Sequence, residues 1–243
     1  SKYSLKSPEK IMRLQGHISA SQRGLNQSIG AMHMQLELMG ISQENINGFD
    51  KVGYQRKDGV ISSFSEFIGI HGLSKAVDDS IGRIVRTDKP LDFALGEKGY
   101  FQALNTSGSV ELSRDGRFKL NENGELLGLE NQKILSAGGV PIILPFMPEK
   151  YEDIMVDNNG KLSIFNPQTR KMDYVATLGI VSSDGNTVME PNLKQGCLEF
   201  SNVSMAQEFL EMVPKRRAFD ANRQLFMLQN SALSQAISQL GGG

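Results

Sequence analysis

Apolar residues recur every seven positions at both ends of the chain. Near the amino terminus the series runs through Ile11, Ile18, Leu25, Met32, Met39 and Ile46. Near the carboxyl terminus a row of the same spacing runs through Met212, Phe219, Phe226, Leu233 and Leu240. An apolar heptad repeat is typical of a helix that packs lengthwise against another helix. The pattern therefore predicts two long helices, over residues 1–47 and 203–243, that pack together as a coiled-coil-like layer.

The carboxyl-terminal helix carries two further rows of residues. One is mixed and runs through Phe209, Arg216, Arg223, Asn230 and Ile237, and the other is an apolar stripe of Ala218, Ala221, Leu225, Leu228, Ala232 and Ala236. Polar residues in a seam weaken it and tend to specify register and partner, and a second stripe allows a second neighbour. We therefore expect an assembly interface formed by Ile18, Leu25, Met32, Met39, Phe209, Met212, Phe219, Phe226, Leu233 and Ile237.

Both predicted helices contain residues that disfavour a helix. The first is interrupted by Gly16, Gly24, Gly30 and Gly40, each of which costs about 1 kcal/mol relative to alanine. Pro214 in the second removes an amide donor, which predicts a kink or a later start of the helix. Packing must therefore supply the stability that intrinsic propensity lacks.

The middle of the chain alternates apolar and polar residues with a period of two. Leu91, Phe93 and Leu95 begin the pattern, and further strands are predicted near residues 100–104, 110–113, 118–120, 142–144, 154–156, 162–165, 174–181 and 197–200. Asp115-Gly116 and Asn123-Gly124 are dipeptides typical of tight hairpins, in which glycine takes a positive φ. The fold class is therefore α+β, with an antiparallel β domain over residues 87–202. Residues 48–86 are predicted to form an extended connector with little regular structure.

Composition excludes several functional classes. Among 243 residues, 26 Lys and Arg balance 27 Asp and Glu, which argues against a nucleic-acid or anionic-membrane surface. Cys197 is the lone cysteine, so no disulfide forms within the chain. Neither a secretory signal nor an apolar run long enough to span a membrane is visible, so we expect any export to use a route without a cleaved signal peptide.

No arrangement of side chains indicates catalysis. His17, His33 and His71 lack metal-ligand spacing with a third donor. Residues 96–99 are not followed by a helix start, as a phosphate loop requires, and residues 157–160 lack the closing acidic residue of a calcium loop. We therefore expect no enzymatic activity, no cofactor, no metal and no small-molecule substrate.

Several stretches together resemble one known family. Residues 87–101, TDKPLDFALGEKGYF, resemble the signature of bacterial flagellar basal-body rod and hook proteins. Residues 113–118 (SRDGRF), 196–203 (GCLEFSNV) and 217–222 (RAFDAN) resemble further motifs of that family in the same order. Asn45, Asn47 and the pair Gly53-Tyr54 resemble another, with more residues between them than is usual. The chain has no room for the extra outer domain of hook proteins, which favours a rod subunit without separating distal from proximal ones.

The resemblance implies a structural subunit of the flagellar basal-body rod. Such a protein polymerises helically into the axial drive shaft for motility, with the terminal helices as an inner layer and the β domain outside. Its implied partners are copies of itself, other rod and hook proteins and the surrounding basal-body ring proteins. The implied location is the periplasm-spanning rod, reached through the flagellar type III export apparatus. The alternative is a soluble β-domain binding or chaperone-like module whose helices pair within one molecule.

Overall fold

The computed structural model describes residues 7–61 and 73–241. Within them the long helices are α1 (Pro8–Asn47) and α2 (Met205–Gly241). The strands are β1 (Lys57–Ile61), β2 (Leu73–Val77), β3 (Ile84–Arg86), β4 (Phe93–Leu95), β5 (Tyr100–Leu104), β6 (Val110–Ser113), β7 (Phe118–Leu120), β8 (Leu126–Gly128), β9 (Lys133–Ile134), β10 (Ile154–Val156), β11 (Lys161–Asn166), β12 (Lys171–Thr177), β13 (Ile180–Val181), β14 (Leu193–Gln195) and β15 (Cys197–Glu199). A 3-10 turn covers Tyr151–Asp153.

The chain divides into two compact units. The first contains the described parts of residues 1–46, 57–76 and 205–243, which include both long helices and the β1–β2 pair. The second contains Asn47–Arg56 and Val77–Ser204 and is built of antiparallel strands. The predicted α+β class is confirmed. The two long terminal helices pack together, and the sequence between them forms an antiparallel β region.

Local hydrogen bonds define α1 at both of its ends. The Lys10 amide donates to Ser7 Oγ at 3.4 Å, so Ser7 caps the helix and Pro8 follows as its first residue. At the other end, Asn45 pairs with the backbone of Lys57 in β1, accepting from its amide at 2.9 Å and donating to its carbonyl at 2.8 Å. The Asn45 amide therefore substitutes for a neighbouring strand at the start of β1.

The second unit is organised around one apolar core. Its main sheet has the order β13-β5-β9-β8-β7, and β6 pairs with β5 outside this path. Phe118 lies between Phe93 and Phe101, with ring centroids 5.4 and 5.2 Å away. The separate β10-β11-β12 sheet contributes Ile154, Val156, Leu162 and Ile164 to the same core.

The predicted turns have different outcomes. Gly124 adopts a φ of 78° between β7 and β8, as expected for Asn123-Gly124. The hairpin predicted at Asp115-Gly116 is wrong, because β6 pairs with β5 rather than with β7 and Gly116 does not take a positive φ. Gly116 is instead required by packing, since a Cβ there would lie 1.8 Å from the Phe93 carbonyl oxygen.

Two other expectations about regular structure also differ from what is observed. The described parts of the stretch between residues 48 and 86 contain β1, β2 and β3, so they are more regular than predicted, and β3 gains its order by pairing with the distant β15. Residues 62–72 of the predicted connector lie outside the described residues. Helix α2 begins at Met205 and continues through Pro214, so the later start considered for this helix does not occur.

The close approach of Gly116 to Phe93 yields a stability prediction. The variant Gly116→Ala should destabilise the second unit by at least about 1–3 kcal/mol, because the new methyl group meets backbone that has no room to move. The matched control is Gly138→Ala, where the nearest side-chain atom, Ser136 Oγ, is 3.7 Å away from the added carbon. Chemical denaturation of both variants measures the difference, and equal midpoints would contradict the packing role of Gly116.

Candidate functional site

Helices α1 and α2 lie antiparallel against each other in the first unit. Ser28 Oγ donates a hydrogen bond to Gln229 Oε1 at 2.7 Å, and Lys215 Nζ donates to Ser42 Oγ at 2.7 Å. Fourteen residues forward along α1, from Ser28 to Ser42, correspond to fourteen residues back along α2, from Gln229 to Lys215. Both steps are two heptads, so the two helices keep one register between these contacts.

Buried and half-buried side chains trace a seam along each helix. On α1 the seam consists of Leu14, Ile18, Ser21, Leu25, Ser28, Met32, Gln35, Met39, Ser42 and Ile46. On α2 it consists of Met205, Glu208, Met212, Lys215, Phe219, Asn222, Phe226, Gln229, Leu233 and Ala236. Each seam combines an apolar row with a second row that is mostly polar. We call the second rows the polar rows: Ser21, Ser28, Gln35 and Ser42 on α1, and Glu208, Lys215, Asn222 and Gln229 on α2.

The structure brings together eight of the ten residues predicted to form an assembly interface. They occupy the apolar rows of the pair formed within one chain: Ile18, Leu25, Met32, Met39, Met212, Phe219, Phe226 and Leu233. Phe209 and Ile237 lie outside the seam and are 54% and 55% exposed. The predicted mixed row through these two residues is displaced by one position from the polar row that α2 presents to α1. Contact of any of the ten with another subunit stays a prediction.

Sequence reasoning missed the polar rows because it chose rows by the apolar residues in them, which on α2 pointed to the mixed row one position away. The available signal was the recurrence of small or amide side chains every seven residues, at Ser21, Ser28, Gln35 and Ser42. One helical glycine also gains an explanation from the polar rows. A Cβ on Gly24 would lie 2.6 Å from Gln229 Nε2, so the glycine makes room for this side chain. Nothing in the structure explains Gly16 or Gly40, where an added Cβ would meet open space.

A second apolar surface of α2 is left uncovered by residues 7–61 and 73–241. We call it the outer stripe and define it as Ala218, Ala221, Leu225, Leu228 and Ala232. Leu225 is 46% exposed and Leu228 is 69% exposed, while Ala221 and Ala232 are also exposed. Alanines on both sides of two leucines, all at helical spacing, allow another helix to approach closely. The surface therefore has the form of a helix-docking face.

In the second unit a buried ion pair connects several chain segments. Arg114 Nε donates to Glu199 Oε2 at 2.6 Å, and the two side chains are 1% and 4% exposed. Arg114 also donates to the carbonyl oxygens of Gly99 at 2.7 Å and Leu95 at 3.1 Å. Glu199 Oε1 accepts from the amide of Gly82 at 2.8 Å. The pair therefore links four separate stretches of chain.

Asn202 binds two other segments of the second unit. Its Oδ1 accepts from the Arg56 amide at 2.7 Å, and its Nδ2 donates to the carbonyl oxygens of Asp78 and Ser80, each at 3.0 Å. Hydrogen bonds from the Ser80 side chain and amide lower the pKa of Asp78 below its ordinary value. Asn202 thus holds the backbone together shortly before the chain enters α2.

The described residues contain neither a cluster of metal-binding side chains nor a membrane-spanning helix. No group of three or more His, Cys, Asp or Glu side chains in residues 7–61 and 73–241 is placed to bind a metal ion. Over the same residues, neither α1 nor α2 has the length of apolar sequence needed to cross a membrane. The prominent features of these residues are therefore helical surfaces and buried polar connections.

Comparison with known proteins identifies the family. The model of the flagellar hook protein FlgE/F/G D1 domain matches residues 94–164. A flagellar basal-body rod protein FlgF of Rhizobium meliloti is 34% identical over 176 residues, which cover 66% of this chain and 71% of that protein. The chain belongs to the flagellar basal-body rod protein family. Proteins of this family are structural components of the flagellar basal body.

Other relatives carry the same family description over more of the chain. A FlgF of Mesorhizobium japonicum is 29% identical over 218 residues, covering 83% of this rod protein and 88% of the relative. A FlgG of Bacillus subtilis is 24% identical over 247 residues, covering 84% and 92% of the two proteins. Two of the sequence motifs lie next to each other in this rod protein. Arg114 in the motif at residues 113–118 donates a hydrogen bond to Glu199 in the motif at residues 196–203.

The buried ion pair of this rod protein yields a prediction. The variant Arg114→Met should destabilise the second unit by about 3–5 kcal/mol, because it leaves the Glu199 carboxylate buried without its cation. The double variant Arg114→Met/Glu199→Met should recover a large part of that loss, since it removes the unpaired charge as well. Urea unfolding of the full chain measures both changes.

The control is a half-buried pair close in sequence, which solvent still reaches. Arg117 binds Asp115 at 2.7 Å, with the two side chains 40% and 30% exposed. The variant Arg117→Met should therefore cost only about 0–1 kcal/mol. A loss for Arg114→Met no larger than that for Arg117→Met would contradict the structural role of the buried pair.

Proposed function

We propose that this chain polymerises helically into the basal-body rod, with the outer stripe of α2 as a contact between subunits. The proposal is supported by the exposed fractions of Leu225 and Leu228, 46% and 69%. The α1–α2 seam already covers the apolar rows within one chain, and it leaves the outer stripe uncovered. Full burial of one leucine by a neighbour contributes about 1.5–3 kcal/mol.

A repeated contact between two different surfaces gives an open helical polymer when its rotation does not close into a ring. In this proposal the outer stripe of one subunit packs on a helix of the next, and the same step recurs along the shaft. Phe209 and Ile237, which are exposed beside the apolar row of α2, add area to such contacts. The eight other predicted interface residues act mainly within the subunit and support the helix that carries the outer stripe.

The wider role follows from family membership and belongs to the same proposal. The partners would be copies of this chain, other rod and hook proteins and the surrounding basal-body ring proteins. The helices would form the inner layer of a periplasm-spanning drive shaft for motility, and the chain would arrive there through the flagellar type III export apparatus. The task is mechanical, so we propose no catalytic activity and no cofactor.

The alternative of a soluble β-domain binding or chaperone-like module predicts a different behaviour. It shares the pairing of helices within one molecule, so the α1–α2 seam does not separate the two functions. The difference lies in concentration dependence. A rod subunit forms elongated oligomers as its concentration rises, whereas a binding module remains monomeric. The uncovered outer stripe favours the rod subunit.

The outer stripe can be tested with one substitution. The variant Leu228→Glu should abolish elongated oligomers in sedimentation and restore a monomer, because a carboxylate replaces the leucine at the proposed contact. Its midpoint of thermal unfolding should stay close to that of the parent, since a side chain that is 69% exposed contributes within about 0.5 kcal/mol to the folded monomer.

The matched control for this variant is Met227→Glu on a different face of α2. Met227 is 61% exposed and precedes Leu228, so it lies about 100° away around the helix. The control should retain assembly. Oligomers that persist in Leu228→Glu, or that disappear equally in both variants, would contradict the outer stripe as the contact between subunits.

A further inference from the structure

The apolar rows of α1 and α2 do not determine how the helices align. Ile18, Leu25, Met32 and Met39 repeat every seven residues, and Met212, Phe219, Phe226 and Leu233 do the same. Sliding one helix by a heptad, about 10.5 Å, again places apolar residues opposite apolar residues. The free energy of apolar burial is therefore similar in neighbouring registers, and another interaction must select the observed one.

The polar rows distinguish these registers at Gln229. This side chain accepts a hydrogen bond from Ser28 and occupies the space beside Gly24, where a Cβ would approach Gln229 Nε2 to 2.6 Å. Each member of the α1 polar row is preceded, four residues earlier, by a residue on the same face of the helix. Those residues are His17 before Ser21, Gly24 before Ser28, Ala31 before Gln35 and Leu38 before Ser42. Glycine occurs at only one of these four positions. In the observed register Gln229 therefore lies beside a glycine, whereas next to Ser21, Gln35 or Ser42 it would lie beside a residue that carries a side chain.

We propose that Gly24, Ser28 and Gln229 form a register latch that specifies the alignment of α1 with α2. Lys215 and Ser42 lie two heptads away, and their 2.7 Å hydrogen bond belongs to the same alignment. The latch lies within one chain, so the inference goes beyond the proposed function and holds independently of polymerisation. Gly24 lowers the helical propensity of α1, and the latch gives that glycine a specific role.

Disulfide trapping measures the register directly. All variants carry Cys197→Ser. In the observed register Ser21 lies one heptad from Ser28 and Ala236 one heptad from Gln229, so the pair Ser21→Cys/Ala236→Cys should form a disulfide. The pair Leu14→Cys/Ala236→Cys reports a slip by one heptad. Because Cα atoms joined by a disulfide lie about 4.4–6.8 Å apart, a slip of about 10.5 Å moves a pair out of reach.

The decisive variant moves the glycine along α1. His17→Gly/Gly24→Ala places the space for Gln229 next to Ser21, one heptad earlier, and leaves every residue of the apolar rows unchanged. The latch predicts that the ratio of slipped to native disulfide rises at least about tenfold in this background. The control Phe226→Leu changes the apolar row and should keep the native disulfide dominant.

Two results would overturn the latch. The first is a native disulfide that stays dominant when the glycine has moved, because the register would then follow from other contacts. The second is the loss of both disulfides, because intact apolar rows should still pair the helices. Neither result bears on the Leu228→Glu experiment, which reports assembly without involving the latch.

Discussion

The hydrogen bond between Ser28 and Gln229 defines the arrangement on which the helical unit depends. It marks the face of α2 that is turned toward α1 together with the apolar row, and hence the residues that remain uncovered. With Gln229 in the seam, Leu225 and Leu228 lie on the outer stripe and stay exposed. A rotation of α2 that buried the outer stripe against α1 would expose Phe219 and Phe226 instead. One orientation of α2 thus sets both the inner seam and the surface available to a neighbour.

The second unit relies on a different kind of polar interaction. Arg114 and Glu199 lose their hydrogen bonds to water on burial. The guanidinium replaces them with hydrogen bonds to the Glu199 carboxylate and to two backbone carbonyl oxygens. The pair joins parts of the chain far apart in sequence, so it acts as a connection that short strands alone would not supply. Most strands here have two to five residues and little pairing of their own.

Sequence periodicity predicted the long helices, the antiparallel β region and the turn at Gly124, because these depend on local spacing and local backbone geometry. It did not predict the role of Gly116, since the Phe93 carbonyl that excludes a side chain there comes from another strand. The polar row of α2 was also missed. The mixed row through Arg216 contains Phe209 and Ile237, so hydrophobicity favoured it over the more polar row through Lys215.

The Arg114–Glu199 pair shows the same limit for buried charges. Both residues stand in recognisable motifs, yet neither motif indicates that Arg114 and Glu199 bind each other. The two residues are 85 positions apart in the sequence. A charged residue placed among apolar neighbours in a strand region is a usable signal of burial, but its partner becomes evident only when the topology is known. Asn45 and Asn202 follow this pattern, because each binds backbone from a separate segment.

The composition of the helical seam is consistent with a subunit that gains stability on assembly. Polar rows reduce the apolar area buried between α1 and α2, and the glycines of α1 each cost about 1 kcal/mol of helical propensity. A pair built in this way aligns accurately but contributes modest stability by itself. Contacts at the outer stripe would add apolar burial to α2 without competing for the seam. Alignment within the chain and cohesion between chains can therefore be assigned to separate faces of one helix, with polar contacts governing the first and apolar contacts the second.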